Sequence, residues 1–199
     1  MASLKKILKW VLVSFLIIWV VGVIIRAFHF RNLDKTKAQV EKIHSTKLQL
    51  EDVLGENLPP QPGADADRTV AGIDANQNGI RDDVELAIFK AYPNSAKTRA
   101  VLLQYALALQ MEAVQPIVNT ETVTEVVREQ SRAYQCVSEI LPKVSLNSFV
   151  KEGDTLRAFV KQKQLNTQQR INQRNDFLSH IGSYAELDGC DIDYSTLPN

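Results

Sequence analysis

Residues 10–25 carry no ionisable side chain, and that run limits what the rest of the chain can become. Counting Ile7 and Leu8, with the Lys9 ammonium snorkelling outward, the apolar stretch reaches 19 residues, close to the ~20 that cross the hydrocarbon of a bilayer as a helix. Trp10, Trp19, Phe28 and Phe30 supply aromatic interface character. A cleaved signal sequence is the alternative. Its apolar core is shorter, roughly 7–15 residues, and residues 20–22, Val-Val-Gly, match an A-x-A cleavage site poorly. We therefore expect residues 1–28 to be an uncleaved single-pass signal-anchor that contacts lipid through residues 7–25. Lys5, Lys6 and Lys9 place the N-terminus in the cytoplasm and the remainder beyond the inner (cytoplasmic) membrane, periplasmic or extracellular, although Arg26 and Arg31 narrow the asymmetry.

What remains of the 199 residues suffices for one soluble domain. Three of the 23 basic residues precede the apolar run, leaving 20 against 23 acidic ones, a net charge of −3. No basic stripe interleaved with aromatics occurs, so nucleic acid is excluded as an expected partner. Cys136 and Cys190 lack the spacing of a zinc site or redox dithiol, and in an oxidising compartment they are expected to form a disulfide. None of the 11 asparagines begins an N-x-[ST] acceptor, which is compatible with a bacterial periplasm.

Residues 74–85, Asp-Ala-Asn-Gln-Asn-Gly-Ile-Arg-Asp-Asp-Val-Glu, place oxygen-bearing side chains on alternate positions. A hard cation such as calcium needs about six to eight oxygens at roughly 2.3–2.6 Å, and this alternation can deliver them from one short loop. Asp74, Asn76 and Asn78 come first; Gly79 permits the sharp turn; the Ile80 carbonyl, Asp82 and Glu85 complete the set. The stretch matches D-x-[DN]-x-[DN]-G-x5-E and resembles an EF-hand-type calcium loop, more closely the helix-poor variants of dockerin and thrombospondin type 3 repeats. That resemblance covers twelve residues and implies a Ca2+ cofactor. With three carboxylates, Asp74, Asp82 and Glu85, the expected dissociation constant is on the order of 10⁻⁵ to 10⁻³ M, which suits a structural ion. Two features depart from the EF-hand: prolines at 59, 60 and 62 preclude a regular entering helix, and Arg81 stands where an apolar residue is usual. A solvated turn leading into a helix, its acids favoured by the helix dipole, is the competing reading. The chain also resembles N-terminally anchored bacterial proteins that share an LPPxP…GIDxNxNGxRDDVE-like stretch, here residues 58–62 and 72–85, a resemblance that implies no activity.

Patterning predicts a mainly α protein. Residues 29–44 read as a polar helical stalk, whose sparse Leu33–Val40 heptad is too short to support a homo-oligomer. Residues 45–73 read as a Pro/Gly-containing linker or strap, with a short extended piece at Leu48 and Leu50. Residues 74–199 should form a compact domain of four or five helices opening with the cation loop. The expected helices cover about 83–92, stopped by Pro93; a core helix from a cap at Asn94 or Ser95 to about Gln115; one starting at Thr120 or Thr122 with Glu125 as its capping-box partner; one capped at Asp154 or Thr155 after a turn-rich stretch; and a last one after a break at Asn166 and Thr167. Asp188, Asp191 and Asp193 form an acidic tail that is a minor candidate for a second cation.

No nucleophile elbow, HExxH, Walker loop or dinucleotide fingerprint is present, and His29, His44 and His180 are scattered. The expected function is a membrane-anchored exported module that binds or scaffolds an envelope protein, with no catalytic residues assigned. Two alternatives stay open: an envelope hydrolase using the Asp82, Asp83 and Glu85 carboxylates, and a subunit of a larger membrane assembly whose anchor makes the specific contacts.

Overall fold

The structure is a computed structural model that describes residues 2–185, 187 and 189–199. Among them the regular elements are helical, and the chain divides into two compact units, Met1–Gln39 and Val40–Asn199. Helix α1 runs without a break over Ala2–Ser45. Its apolar part is long and hydrophobic enough to cross a membrane, with a mean hydropathy of 2.6 in the best window and none of that window buried. Trp10, Ile18 and Trp19 all project outward, as they must if lipid is their solvent.

In the second unit, the core is built around α4 (Ala96–Val114), which packs against α2 (Leu50–Leu54), α3 (Asp82–Ala91), α5 (Thr120–Glu139), α6 (Leu146–Gln164) and α7 (Gln168–Leu178). The all-round apolar run at 101–109 predicts such an enclosed helix, and Leu102, Leu103, Tyr105, Ala106 and Leu109 are buried. Ser95 caps α4 by accepting from the Thr98 amide, and Pro93 stops α3. Cys136, buried on α5, joins Cys190 across a Cα separation of 5.7 Å. The bond closes 54 residues, which on the chain-entropy model stabilises the fold by roughly 4 kcal/mol.

Several local readings change. Leu48 is buried outside any regular element, but Leu50 opens α2, because the Asp52 carboxylate accepts from the Gln49 amide and starts a helical turn. Helix α5 starts at Thr120, as expected, but its capping box is formed by Asn119 and Thr122 without Glu125: the Asn119 side chain accepts from the Thr122 amide while Thr122 Oγ1 accepts from the Asn119 amide. Glu125 is thereby released to bind Arg128 and, at 2.9 Å, His44. Helix α6 begins at Leu146 with Ser145 as cap, eight or more residues before Asp154 and Thr155. Gly153, last residue of the expected turn-rich stretch 143–153, sits inside the helix where the Arg157 guanidinium passes; a Cβ there would lie 2.7 Å from Arg157 Nη2. Helix α7 ends at Leu178, leaving Ile181 beyond it and partly exposed.

Residues 46–72 are a strap fixed to the domain, not a free linker. Arginines hold it. Arg170, 1% exposed, donates to the carbonyls of Ala66 (2.6 Å), Thr69 and Val70 (3.0 Å each) and pairs with Asp67. Arg99 donates to the Val53 carbonyl at 3.1 Å, and Gln110 to the Ala71 carbonyl at 2.7 Å. Irregular backbone needs such donors, because a buried carbonyl left unpaired costs about as much as a lost hydrogen bond. A planar guanidinium meets several carbonyls at once. We expect Arg170→Ala to lower unfolding stability by about 3–5 kcal/mol and Arg170→Lys to recover little of it, read by urea denaturation. A loss under about 1 kcal/mol would contradict this account of the strap.

Candidate cation site

The loop at 74–85 is held by its own side chains. Asp74 turns both carboxylate oxygens to backbone amides, of Asn78 (3.1 Å) and Gly79 (2.9 Å), and Asn78 Oδ1 accepts from the Ile80 amide at 2.9 Å. Asp82 Oδ1 accepts from the Ala75 amide at 3.0 Å. The tight turn needs a left-handed residue at Gly79 (φ 85°), where a Cβ would also lie 2.7 Å from Leu107 Cδ1. Gln77 takes φ 59°, which a polar side chain tolerates in a turn.

Asn76 links the loop to two other elements. Its Nδ2 donates to the Asn57 carbonyl of the strap (2.8 Å) and to Glu85 Oε2 (3.1 Å) on α3. Both nitrogen contacts are thus spent on protein, which turns Asn76 Oδ1 the other way, where it is buried without a donor. Asp82 Oδ2 and Glu85 Oε1 are in the same condition, and both residues are fully buried. Three oxygens from three of the sequence-predicted ligands are therefore desolvated and unpaired. Burial pushes the Glu85 carboxyl up to about 7, opposed by hydrogen bonds from Asn76 and Asn78 and reinforced by the negative charges of Asp52 and Asp82. Burial also raises Asp74, against backbone amides of Gly79, Asn78 and Gln77, and raises Asp82, against the Ala75 amide.

Asp74, Asn76, Asn78, Ile80, Asp82 and Glu85 all fall within this one folded loop. Their carboxylates alone do not make a metal-ligating group: among the described residues no cluster of three or more His, Cys, Asp or Glu side chains is arranged to hold an ion. Amide and main-chain oxygens have to complete any ligand set, consistent with the Asn-rich sequence. A cleft of about 760 Å³ opens beside the loop, lined by Lys42, Lys47, Asp52, Asp74, Asn76 and neighbours.

Other predicted chemistry is absorbed by structure. Asp83 is bound by the Arg81 guanidinium and is not among the cleft's lining residues. Arg81, fully buried at the apolar position of the motif, also donates to the carbonyls of Lys163 (2.6 Å) and Gln164 (3.2 Å), tying the loop to the end of α6. Among the described residues the acidic tail assembles no second cation site. Asp191 pairs with Arg132 at 2.7 Å and accepts from the Leu48 amide, Asp193 caps the Ser195 turn, and Asp188 lies outside the described residues. His180 bonds within its own helix end, to the Asp176 carbonyl.

Sequence reasoning missed Asp52, Arg81 and Asn57 as parts of this neighbourhood. Only the departure at the eighth motif position hinted at Arg81; nothing local marks the other two. No protein-family model, curated protein or solved structure matches the chain.

The titration of Glu85 has a definite sign. Its folded value, about 7, exceeds the ordinary 4.5, so without metal the native state binds more protons than the unfolded chain between those values. Stability of the calcium-free protein is then expected to fall as pH rises through about 4.5–7, by up to about 3 kcal/mol. Glu85→Gln is expected to flatten that slope in denaturant titrations at several pH values. An unchanged slope in the variant would contradict the assignment.

Proposed function

We propose that this chain is a membrane-anchored, exported helical module with a structural calcium site, serving as a binding or scaffolding component of the cell envelope. The supporting observation is the set of buried, donorless oxygens at Asn76, Asp82 and Glu85 inside a loop whose order of residues matches a calcium loop. Desolvated carboxylates are costly unless protonated or paired with a cation. A divalent ion coordinated by Asp74, Asn76, Asn78, Asp82, Glu85 and the Ile80 carbonyl would supply that pairing without a protein base.

The helix capable of crossing a membrane and the Cys136–Cys190 bond support export, since disulfides persist in oxidising compartments. In this reading the N-terminus is cytoplasmic and the helical domain periplasmic or extracellular, where calcium is constantly available and weak affinity suffices. The partner is an envelope protein, not nucleic acid. A hydrolase built on Asp82, Asp83 and Glu85 is disfavoured because Asp83 is neutralised by Arg81.

Calcium titrated into the full chain in detergent is expected to raise its melting temperature. At about 100 times the dissociation constant the gain is about 2.7 kcal/mol. For a chain of this size that corresponds to a rise of roughly 5–10 °C. Chelation should reverse it, and Glu85→Gln should abolish most of it. No response to millimolar calcium or to chelator would overturn the metal reading.

A further inference from the structure

Helix α6 outruns the core it packs on. On a helix turning about 100° per residue, Gly153, Arg157, Val160 and Gln164 fall on one stripe, and all four are buried. Leu146, Phe149 and Val150 lie within roughly 60° of that same stripe. Their burial fades toward the N-terminus: Val160 is 0% exposed, Val150 46% and Leu146 76%. The core-facing stripe therefore continues past the core, with little of the described chain covering it.

Val144, just before the Ser145 cap, is 85% exposed. Val144 and Phe149 hold the positions of a hydrophobic staple, but a valine that exposed gains little from one. A single surface leucine needs no account; a contiguous apolar patch at one helix end does. A groove of about 460 Å³ lies alongside, lined in part by Leu141, Leu156, Lys151 and Glu152. Lys143 and Glu152 are exposed toward opposite ends of the patch, and among the described residues neither makes an ion pair.

An occupant of this surface has to bring an apolar helical ridge, an acid for Lys143 and a base for Glu152. The patch itself, run in the opposite direction, supplies all of these. A two-fold contact uses the same surface on both chains. We propose that this overhanging end of α6 pairs antiparallel with the same segment of a second copy. With the axis midway between Leu146 and Phe149, Leu146 of each chain stands opposite Phe149 of the other, Lys143 opposite Glu152, and Val144 at the Lys151 and Glu152 wall of the groove. So small a patch falls short of the roughly 800 Å² that a stable soluble complex buries on each partner. The contact depends on confinement: chains anchored in one bilayer, as the apolar part of α1 permits, meet at raised effective concentration. The pairing thus takes membrane anchoring from the reading above and nothing from the calcium site.

The test is energy transfer between full chains carrying donor or acceptor at the N-terminus, in phosphatidylethanolamine–phosphatidylglycerol vesicles. Wild type is expected to exceed the level of random crowding, and excess unlabelled chain should remove that excess. Leu146→Glu, at an exposed site where an unchanged melting temperature checks the fold, should weaken association at least about 10-fold, as loss of a central anchor does. Lys143→Glu and Glu152→Lys should each weaken it about threefold, exposed pairs being individually weak. The two combined should restore it, which a role in folding alone would not produce. Transfer at the crowding level in wild type, undiminished transfer in Leu146→Glu, or no restoration by the charge swap overturns the pairing. So does a monomeric wild type in which a fluorophore at Val144→Cys is quenched by brominated lipid, which would assign the stripe to the bilayer surface. Chains that fail to float with the vesicles overturn the anchor reading, and the confinement with it.

Discussion

Carboxylates taken out of water, each with one oxygen left without a donor, are the constraint on which the second unit turns. Asp82 and Glu85 begin α3, where the helix dipole favours negative charge, but both side chains are sealed beneath the loop and the strap. A surface acid at a helix start contributes a few tenths of a kcal/mol and needs no further account. Fully buried acids with an orphaned oxygen each do need one, because their charged forms lose hydration that the surrounding amides only partly replace. Protonation of Glu85 near neutrality is one resolution; the divalent cation proposed above is the other, and it would also engage the orphaned oxygen of Asn76.

The rest of the domain keeps that loop in place. Ile80 and Val84 root it in the core beside α4, whose buried face supplies the apolar burial. Arg81 reaches from the loop to the end of α6, and Arg170 reaches from α7 to the strap, so both irregular segments hang on guanidinium groups with almost no exposure. Next to the cleft, Lys47 joins the buried Glu129, Arg132 and Asp191 in a charge network near the disulfide. Burial alone would raise Glu129, but Lys47 and Arg132 beside it hold its carboxyl below the ordinary value. That contrast is instructive. Glu129, set between two protein cations, is depressed, whereas Asp74, Asp82 and Glu85 are raised by burial, as is Glu112 even beside Arg174.

Much of the helical order was legible from the sequence because it rests on local signals. Residues 101–109 announce an enclosed helix, Pro93 marks an end, and Ser95 and Thr167 are caps whose side chains accept the Thr98 and Arg170 amides. Errors arose where a local signal was overridden by a contact from afar. Gly153 reads as a breaker until Arg157 is seen lying across it, and Glu125 reads as a capping partner until Asn119 takes the position. The strap was the least legible part, since its order comes from Arg99, Gln110 and Arg170, whose reach to it no local pattern reveals. Within the candidate site, the loop residues follow from spacing alone. Asp52 and Asn57 do not, because only folding brings α2 and the turn after it to the loop.

In the proposed calcium reading, the buried oxygens of residues 74–85 hold one divalent ion. Equilibrium dialysis of the full chain in detergent against radioactive calcium measures that occupancy. Saturation is expected at one ion per chain with a dissociation constant on the order of 10⁻⁵ to 10⁻³ M. Absence of bound calcium at millimolar concentration, or equal binding by a chain in which Asp82 and Glu85 are both replaced by their amides, would contradict it.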